Sequence, residues 1–481
     1  MRRGLRNVAA FAAPLFVSAC VTAGDGLDNS LAGFHNVSVR TAAATGKETV
    51  WVQSNAQARA LAERVTELVR GKSIGPDVAV QVALLNNKGL QAAYADIGMS
   101  SADLWQESLL VNPRVSVGVM GINAGRTVET AVVGNILALI TRPRRMAVAD
   151  ARFRQAQLKA AEATLRLAAD TRRAWIEAVA AWERVAYLNR SQAAADAASA
   201  LAEKLGETGA FTKTGQAREH VFYAELAGQT AEARMQARMA KEALTRLMGL
   251  WGYDVDYQVP NALPSLPANP LARKDIEAQA LRNRVDLDIA KLELEALALS
   301  YGLTVATRFV SDLELVTGAE IEREEDDGQT ETKVLVNAEL EFVIPIFDSG
   351  QARMRKAELA YMQAANLLAE RAVNVRSEAR SAYDGYRSTL DIARHYRANV
   401  VPLRTTIEAE SLLTYNGMIT NTFELLADTR AKINSIMLSL NAKRQFWLAD
   451  VNLGTAVHGG GGSAPAGGDA EAAAADEGGG H

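Results

Sequence analysis

Two kinds of spacing alternate along this chain, and the alternation occurs twice. From Asn55 to about Arg70, and again from Pro76 to about Leu110, apolar residues recur every three to four positions, the period of an amphipathic helix. The break between them, Gly71 to Gly75, puts Pro76 at a first helical turn, where a missing N–H costs nothing. The period then shortens to two. Val115 to Ile122 and Val128 to Ile140, joined near Asn123-Ala124-Gly125, read as a strand hairpin. Arg145 to about Gly206 is helical again, turns around Gly209 and returns to end at Leu247-Met248-Gly249. After a proline-rich linker, Asp254 to Asn269, the succession repeats. A helix spans Lys274 to about Tyr301, strands span Thr304 to Glu322 and Thr332 to Ile346, and a long helix runs from Gly350 to about Asn416. The second return, past Gly417, ends at Asn452-Leu453-Gly454.

The second strand pair has the cleaner alternation. Val334, Val336, Ala338, Leu340 and Phe342 hold even positions, while Lys333, Asn337, Glu339 and Glu341 hold odd ones, giving one greasy and one wet face. In the preceding strand Val305, Phe309, Leu313, Leu315 and Ile321 oppose Arg308, Asp312, Glu314, Glu320 and Glu322, and a charged turn from Arg323 to Gln329 joins the two. The long helices are unusual: some 60 residues at 1.5 Å each reach roughly 90 Å, about three times the hydrocarbon thickness of a bilayer. Pro402, inside the second of them, is expected to bend or break it.

The duplication is visible in the residues themselves. TGAFTKTGQAREH and NGMITNTFELLAD align Gly209 with Gly417, Thr212 with Thr420 and Thr214 with Thr422 at an offset of 208, and the same offset aligns Arg172-Arg173-Ala174-Trp175 with Arg380-Ser381-Ala382-Tyr383. Leu90 and Leu287 match at 197, so the extra length lies between the first and second helices of the unit. A repeat of this size means two structural units built to pack together. Their boundaries are expected at residues 76–264 and 265–454.

The ends add a compartment. Arg2, Arg3 and Arg6 precede a short apolar stretch from Val8 to Val17, the plan of a bacterial secretory signal over residues 1–19. Val17-Ser18-Ala19-Cys20 resembles the lipobox of bacterial lipoproteins, which implies acylation of Cys20 and, with Val21 following, an outer-membrane destination. Several acyl chains would anchor the protein permanently. Residues 20–75 then read as a lipidated leader, extended to about residue 54, followed by a short helix; residues 455–481 read as a disordered Gly/Ala-rich tail. Beyond the signal no apolar run approaches a spanning helix.

Composition mainly excludes. Lys and Arg number 52 against 56 Asp and Glu, which offers nothing to nucleic acid. Cys20 is the only cysteine, ruling out disulfides within the chain, and the five histidines have no metal-ligand spacing. No nucleophile, phosphate loop or nucleotide fingerprint stands out, so the chain reads as neither an enzyme nor a cofactor protein.

An exported, lipidated chain with four amphipathic strands poses a closure problem. Four strands cannot form a membrane barrel, and open edges in lipid leave backbone groups unpaired. Three copies would supply twelve strands around a polar interior and twelve helical strands for a tube beneath it. The expected fold is mainly α with a small β part: duplicated helical hairpins plus two β-hairpins, trimerising into a 12-stranded β-barrel on an α-helical barrel.

Over Pro76 to Gly454 the sequence resembles the TolC family of outer-membrane efflux proteins. The resemblance rests on the duplicated plan, on Ile344-Pro345-Ile346-Phe347-Asp348-Ser349-Gly350, similar to the family's P-[LI]-F-D-x-G element, and on Tyr415-Asn416-Gly417 followed by Phe423-Glu424-Leu425-Leu426. It implies a homotrimer in outer-membrane lipid, a passive gated conduit whose helical end meets a periplasmic adaptor and an inner-membrane transporter. It also implies that the Gly209, Thr212, Thr214 and Gly417, Thr420, Thr422 turns form tips that touch the adaptor. At the least, glycine there ends one helix and threonine caps the next. Glu424 and Asp428, four apart on one helix face, would make acidic rings at the pore entrance if that face points inward. The family's usual acid stands one residue nearer the glycine, where this chain has Phe423. TYNGMITNTFELLADTR and Phe446-Trp447-Leu448-Ala449-Asp450 resemble stretches of members associated with copper or other metal efflux. Drugs, dyes and secreted proteins stay open as cargo, because the pump selects it. The competing class is a lipid-anchored periplasmic coiled-coil tether that conducts nothing; the alternating segments argue against it.

Overall fold

A computed structural model describes residues 33–121, 125–207, 212–272, 275–326, 329–417 and 422–461. Eleven α-helices and four strands follow one another within these. Helices α1 (Phe34–Thr45), α2 (Asn55–Val69), α3 (Pro76–Asn86) and α4 (Lys88–Ser108) precede strands β1 (Arg114–Met120) and β2 (Gly125–Asn135). Helix α5 (Ile136–Glu207) and its return α6 (Lys213–Leu247) complete the first unit. The second unit has α7 (Ile276–Asn283), α8 (Val285–Ala306), β3 (Leu313–Asp326), β4 (Gln329–Phe342), α9 (Gln351–His395), α10 (Val401–Asn416) and α11 (Thr422–His458).

The first helix of each unit, expected as one piece, is two. The breaks at Asn87 and Arg284 are 197 residues apart, the offset already present in the sequence, and each has a reason. The Asn87 side chain accepts from the Leu90 N–H and caps α4, while its Nδ2 donates to the Leu247 carbonyl at the end of α6 (2.9 Å). Asn86 Nδ2 donates to the Met248 and Gly249 carbonyls (3.1 and 2.7 Å). The carbonyls left unpaired at the end of α6 are thus satisfied by the start of α4, and the two helices meet end to end alongside α5. Gly249, at φ +66°, lets the chain leave there; a Cβ would lie 3.1 Å from the Asn86 carbonyl oxygen. In the second unit the end of α11 meets the start of α8 at Gly459 and Val285. Beside this meeting point Arg284 ties the start of α8 to α9, gripping Asp286 with two hydrogen bonds (2.9 and 2.7 Å) and reaching Glu378.

Several element boundaries differ from the sequence reading: Arg323–Asp326, expected in the charged turn, complete β3, and residues 455–458, expected in the tail, close α11. Residues 136–140, expected as strand, open α5, because Asn135 Oδ1 accepts from the Ala138 N–H (2.7 Å) and starts a helix there. Residues 304–306, likewise expected as strand, close α8; Val305, Phe309 and Leu313 are four apart, a spacing that fits a helix as well as a strand. Strand β4 stops at Phe342, short of Ile346, ahead of Pro345. The leader, expected as extended, contains α1, whose Phe34, Val37 and Thr41 are buried. Phe34 meets Tyr94 edge-on at 4.9 Å and Arg40 pairs with Asp288 on α8.

The bend expected at Pro402 is a π-helical turn, Tyr396–Val400, joining α9 to α10. Proline cannot donate to the carbonyl four residues back and its ring crowds it; the wider π turn moves that carbonyl aside.

The thickest core lies halfway along α5, where Trp175, Ile176 and Val179 pack with Val82 and Leu85 of α3, Leu244 of α6 and Tyr257 of the linker. Trp175 Nε1 donates to the Ile74 carbonyl (3.0 Å). Towards the turn the core thins to Val185, Leu188, Ala195, Phe222 and Leu226, with Ile433 and Met437 of α11 against them. The units are cross-linked by Lys443 to Glu183 and Arg444 to Glu177, each 2.9 Å.

Candidate functional site

Two ends of the molecule carry features that a packed core does not require. At one end the strands form a single antiparallel sheet in the order β1-β2-β3-β4, so the two hairpins of the repeat join through β2 and β3. The register sorts the side chains. Val119, Val128, Ile321 and Val334 form one row across the sheet; Val117, Thr130, Ala319 and Val336 the next; Val115, Val132, Thr317 and Ala338 the third. Leu315 with Leu340, then Leu313 with Phe342, extend the face toward the helices. The face is uncovered, with Val336 83% exposed.

The opposite face is acidic. Glu129, Glu314, Glu320, Glu322, Glu339 and Glu341 occupy it with Arg114 and Lys333. Glu129 stands directly across from Glu320, and Glu314 from Glu341. Like charges directly opposite destabilise a sheet, so this face needs water or cations around it. Arg114 relieves part of the repulsion by an ion pair with Glu314, reaching over β2. Among the described residues β1 and β4 have one partner strand each, leaving two edges open.

Where β4 passes into α9, the Pro-x-Phe-Asp-x-Gly element acquires a structural meaning. The Asp348 carboxylate accepts from the Gly350 N–H (2.8 Å), Arg308 Nε donates to the Ser349 carbonyl (3.0 Å), and Gly350 takes φ +72°. A Cβ on Gly350 would come within 3.0 Å of the Arg308 carbonyl oxygen, so glycine is needed both for the angle and for the space.

At the other end are the helical turns. Thr212 caps α6, accepting from the Gly215 N–H at 3.1 Å, and Thr214 is exposed in the first turn. Gly417 ends α10 with its N–H on the Leu413 carbonyl but at φ −79°, so its place is not dictated by a left-handed backbone. Thr422 opens α11. Gly209, Thr420 and Cys20 lie outside the described residues. Glu424 is exposed, whereas Asp428 is half-buried and accepts from Ser411 of α10. Lys432, one turn further, pairs with Glu408 on the same side. The stripe on which Glu424 and Asp428 stand therefore faces α10 from Asp428 onward.

Sequence reasoning missed three groups. Asn86 and Asn87 splice helices from distant parts of the chain, and only the consecutive asparagines before Lys88-Gly89 hinted at a break. Glu219 is a buried carboxylate in α6, 2% exposed, that periodicity could not distinguish from a solvated acid. Arg430 of α11, its guanidinium 4.5 Å from the centre of the Phe222 ring, belongs to the same neighbourhood. Among the described residues no group of three or more His, Cys, Asp or Glu could hold a metal, and no helix is long and apolar enough to cross a membrane.

No protein-family model and no curated protein matches the chain. Solved structures do. CmeC, an outer membrane channel of Campylobacter jejuni, superposes with a TM-score of 0.64 over 86% of this chain and 89% of its own, at 17% identity. VceC, an outer membrane protein of Vibrio cholerae, gives 0.65 over 80% and 96% at 14% identity. CusC, described as forming a transmembrane channel, gives 0.67 over 80% and 92% at 16% identity. The fold is that of the TolC-type outer-membrane channels. The sheet and the helical turns described above lie at opposite ends of α5, which runs for 72 residues between them. The likeness at this identity lies in the backbone; what the acidic face and the turns do here depends on this chain's own side chains.

Proposed function

We propose that this chain is one subunit of a homotrimeric outer-membrane channel, a passive conduit for efflux or secretion. The observation that carries the reading is the four-stranded sheet with one apolar face, one acidic face and two open edges. An apolar face five rows deep suits lipid, and an acidic face suits water. Neither fits a packed core, and open edges are forbidden in a bilayer. Joining β4 of one copy to β1 of the next removes every edge, and three copies give twelve strands.

In this reading acylated Cys20 anchors each subunit in outer-membrane lipid, and the helices descend through the periplasm. At 72 residues α5 alone is roughly 110 Å long. The turns bearing Gly209, Thr212, Thr214, Gly417, Thr420 and Thr422 meet a periplasmic adaptor, and an inner-membrane transporter supplies energy and selects the cargo, here metal ions or small toxic compounds. Exposed Glu424 would contribute more to an acidic entrance than Asp428, which is tied to Ser411.

Purified full-length protein reconstituted in a planar bilayer tests this. The expected result is cation-preferring conductance from a complex whose mass equals three chains. A monomeric product without conductance would overturn the channel and favour the lipid-anchored tether.

A further inference from the structure

Near the turn between α5 and α6, one side chain is out of keeping with its surroundings. Glu219 lies two turns into α6, is 2% exposed, and both of its carboxyl oxygens are buried with no hydrogen-bond partner. Buried polar atoms nearly always have partners, and an isolated ionised carboxylate in such a place is strongly disfavoured. Nothing in the local fold requires an acid there, since the core around it is built from Ala195, Phe222 and Leu226.

The charged neighbours come from three helices. On α6 itself His220 follows directly and is hydrogen-bonded to Ser199 of α5 (2.9 Å), with Arg218 before it. On α5 the titratable groups of the same stretch, Asp196, Glu203 and Lys204, are exposed. On α11 Arg430 lies over Phe222, one turn along α6 from Glu219, while Asp428 and Lys432 are occupied with Ser411 and Glu408 of α10. Arg430 is thus the α11 cation whose charge reaches Glu219, yet it rests on a ring instead of on the carboxylate.

We propose that Glu219 is a proton-operated latch between the α5–α6 hairpin and α11. Neutral, it stays packed as observed. Ionised, it turns out toward Arg430 and water, and the contact of α6 with its neighbours loosens. Burial raises the carboxyl above its ordinary range, and the charges of Arg430 and His220 only partly offset this. The sign follows from linkage. A group that holds its proton more tightly when buried favours the buried arrangement at low pH and loses that preference as pH rises through the raised value. Lower pH therefore closes the latch and higher pH releases it.

The test is amide hydrogen exchange of the full chain in detergent, corrected for intrinsic rate, between pH 5 and 8. Protection of residues 213–226 is expected to be higher at pH 5 by on the order of tenfold. Glu219→Gln should hold the low-pH protection throughout, and His220→Ala should keep a pH-dependent profile with its midpoint moved to higher pH by less than in Arg430→Ala. Arg430→Ala should move the midpoint to higher pH, which reads the same carboxyl without altering it and remains informative if the glutamine variant misfolds. A wild-type profile in Glu219→Gln, an abolished one in His220→Ala, or an unmoved midpoint in Arg430→Ala would each overturn the latch. Its use as a gate rests on the channel reading. Bilayer conductance that falls on acidification in the wild type and less so in Glu219→Gln supports that use, whereas the exchange result with no conductance at all defeats the channel and leaves the latch standing.

Discussion

The two halves of the repeat reach the same shape by different means. In the first, α5 runs unbroken for 72 residues, α6 is joined to α4 through the amides of Asn86 and Asn87, and the hairpin encloses Leu188, Ala195, Phe222 and Leu226. In the second, the outbound helix is interrupted by the π turn before Pro402, the joint at Arg284 is ionic, and none of the described residues of α10 is fully buried. Leu403, Ile407, Leu412 and Leu413 are instead exposed along it. One hairpin carries its own core; the other leaves apolar surface for something else to cover. The two hairpins share an element order and differ in how much of their apolar surface they cover themselves.

The joints offer the strongest way to break this contrast. Arg284 is nearly fully buried between Asp286 and Glu378. Removing one partner of a buried pair strands the others, so Arg284→Ala should cost about 3–5 kcal/mol, against about 1 kcal/mol for the lost cap in Asn87→Ala. The two are compared by exchange protection of α8 and α4. The second joint should also be the more acid-sensitive. Burial works to raise the Asp286 carboxyl, but hydrogen bonding and charge from Arg284 prevail and hold it below the ordinary carboxylate range. Its contribution is therefore complete at neutral pH and is lost as pH falls through that lowered value. In the wild type, protection of α4 declining at a higher pH than that of α8 would reverse the assignment.

The hairpin cores come next. Leu188 is fully buried and Leu413 mostly exposed. Leu188→Ala should weaken the α5–α6 contact by about 2–4 kcal/mol, while Leu413→Ala in isolated chains should stay within about 0.5 kcal/mol. If trimerisation covers α10, the Leu413→Ala cost appears only on assembly, which exchange measured above and below the assembly concentration would separate.

Much of this plan was legible from spacing alone. The duplicated order of helix, hairpin and helix, the turns near Gly209 and Gly417, and the two-faced second strand pair all follow from changes between periods of about four and two. What escaped was decided by single side chains whose partners are remote. Asn135 ends a strand by capping a helix, although Ile136 to Ile140 is apolar enough to continue it. Asn87 divides a helix because its amide also serves Leu247, 160 residues away. Phe34 and Val37 make a helix of the leader only because Tyr94 and α5 stand behind them. Glu219 lies at the limit of this kind of reading: a lone glutamate on a helix carries no sign that both its oxygens are sealed from water.

A further small effect concerns Pro402, and it bears on the cause of the contrast. If the π turn exists because proline blocks the hydrogen bond to the carbonyl of Ala398, Pro402→Ala restores a donor that can close an ordinary α turn. The helix then needs to absorb one surplus residue, which the turn at Gly417 can take up. Protection of residues 396–406 should rise by less than about 1 kcal/mol, with the α5–α6 hairpin unchanged. A π turn that persists with unaltered protection would place its origin in the packing of Tyr396 against the Tyr386 and Phe446 cluster. The second hairpin's irregularity would then be inherited from the junction between the units, and proline would merely tolerate it.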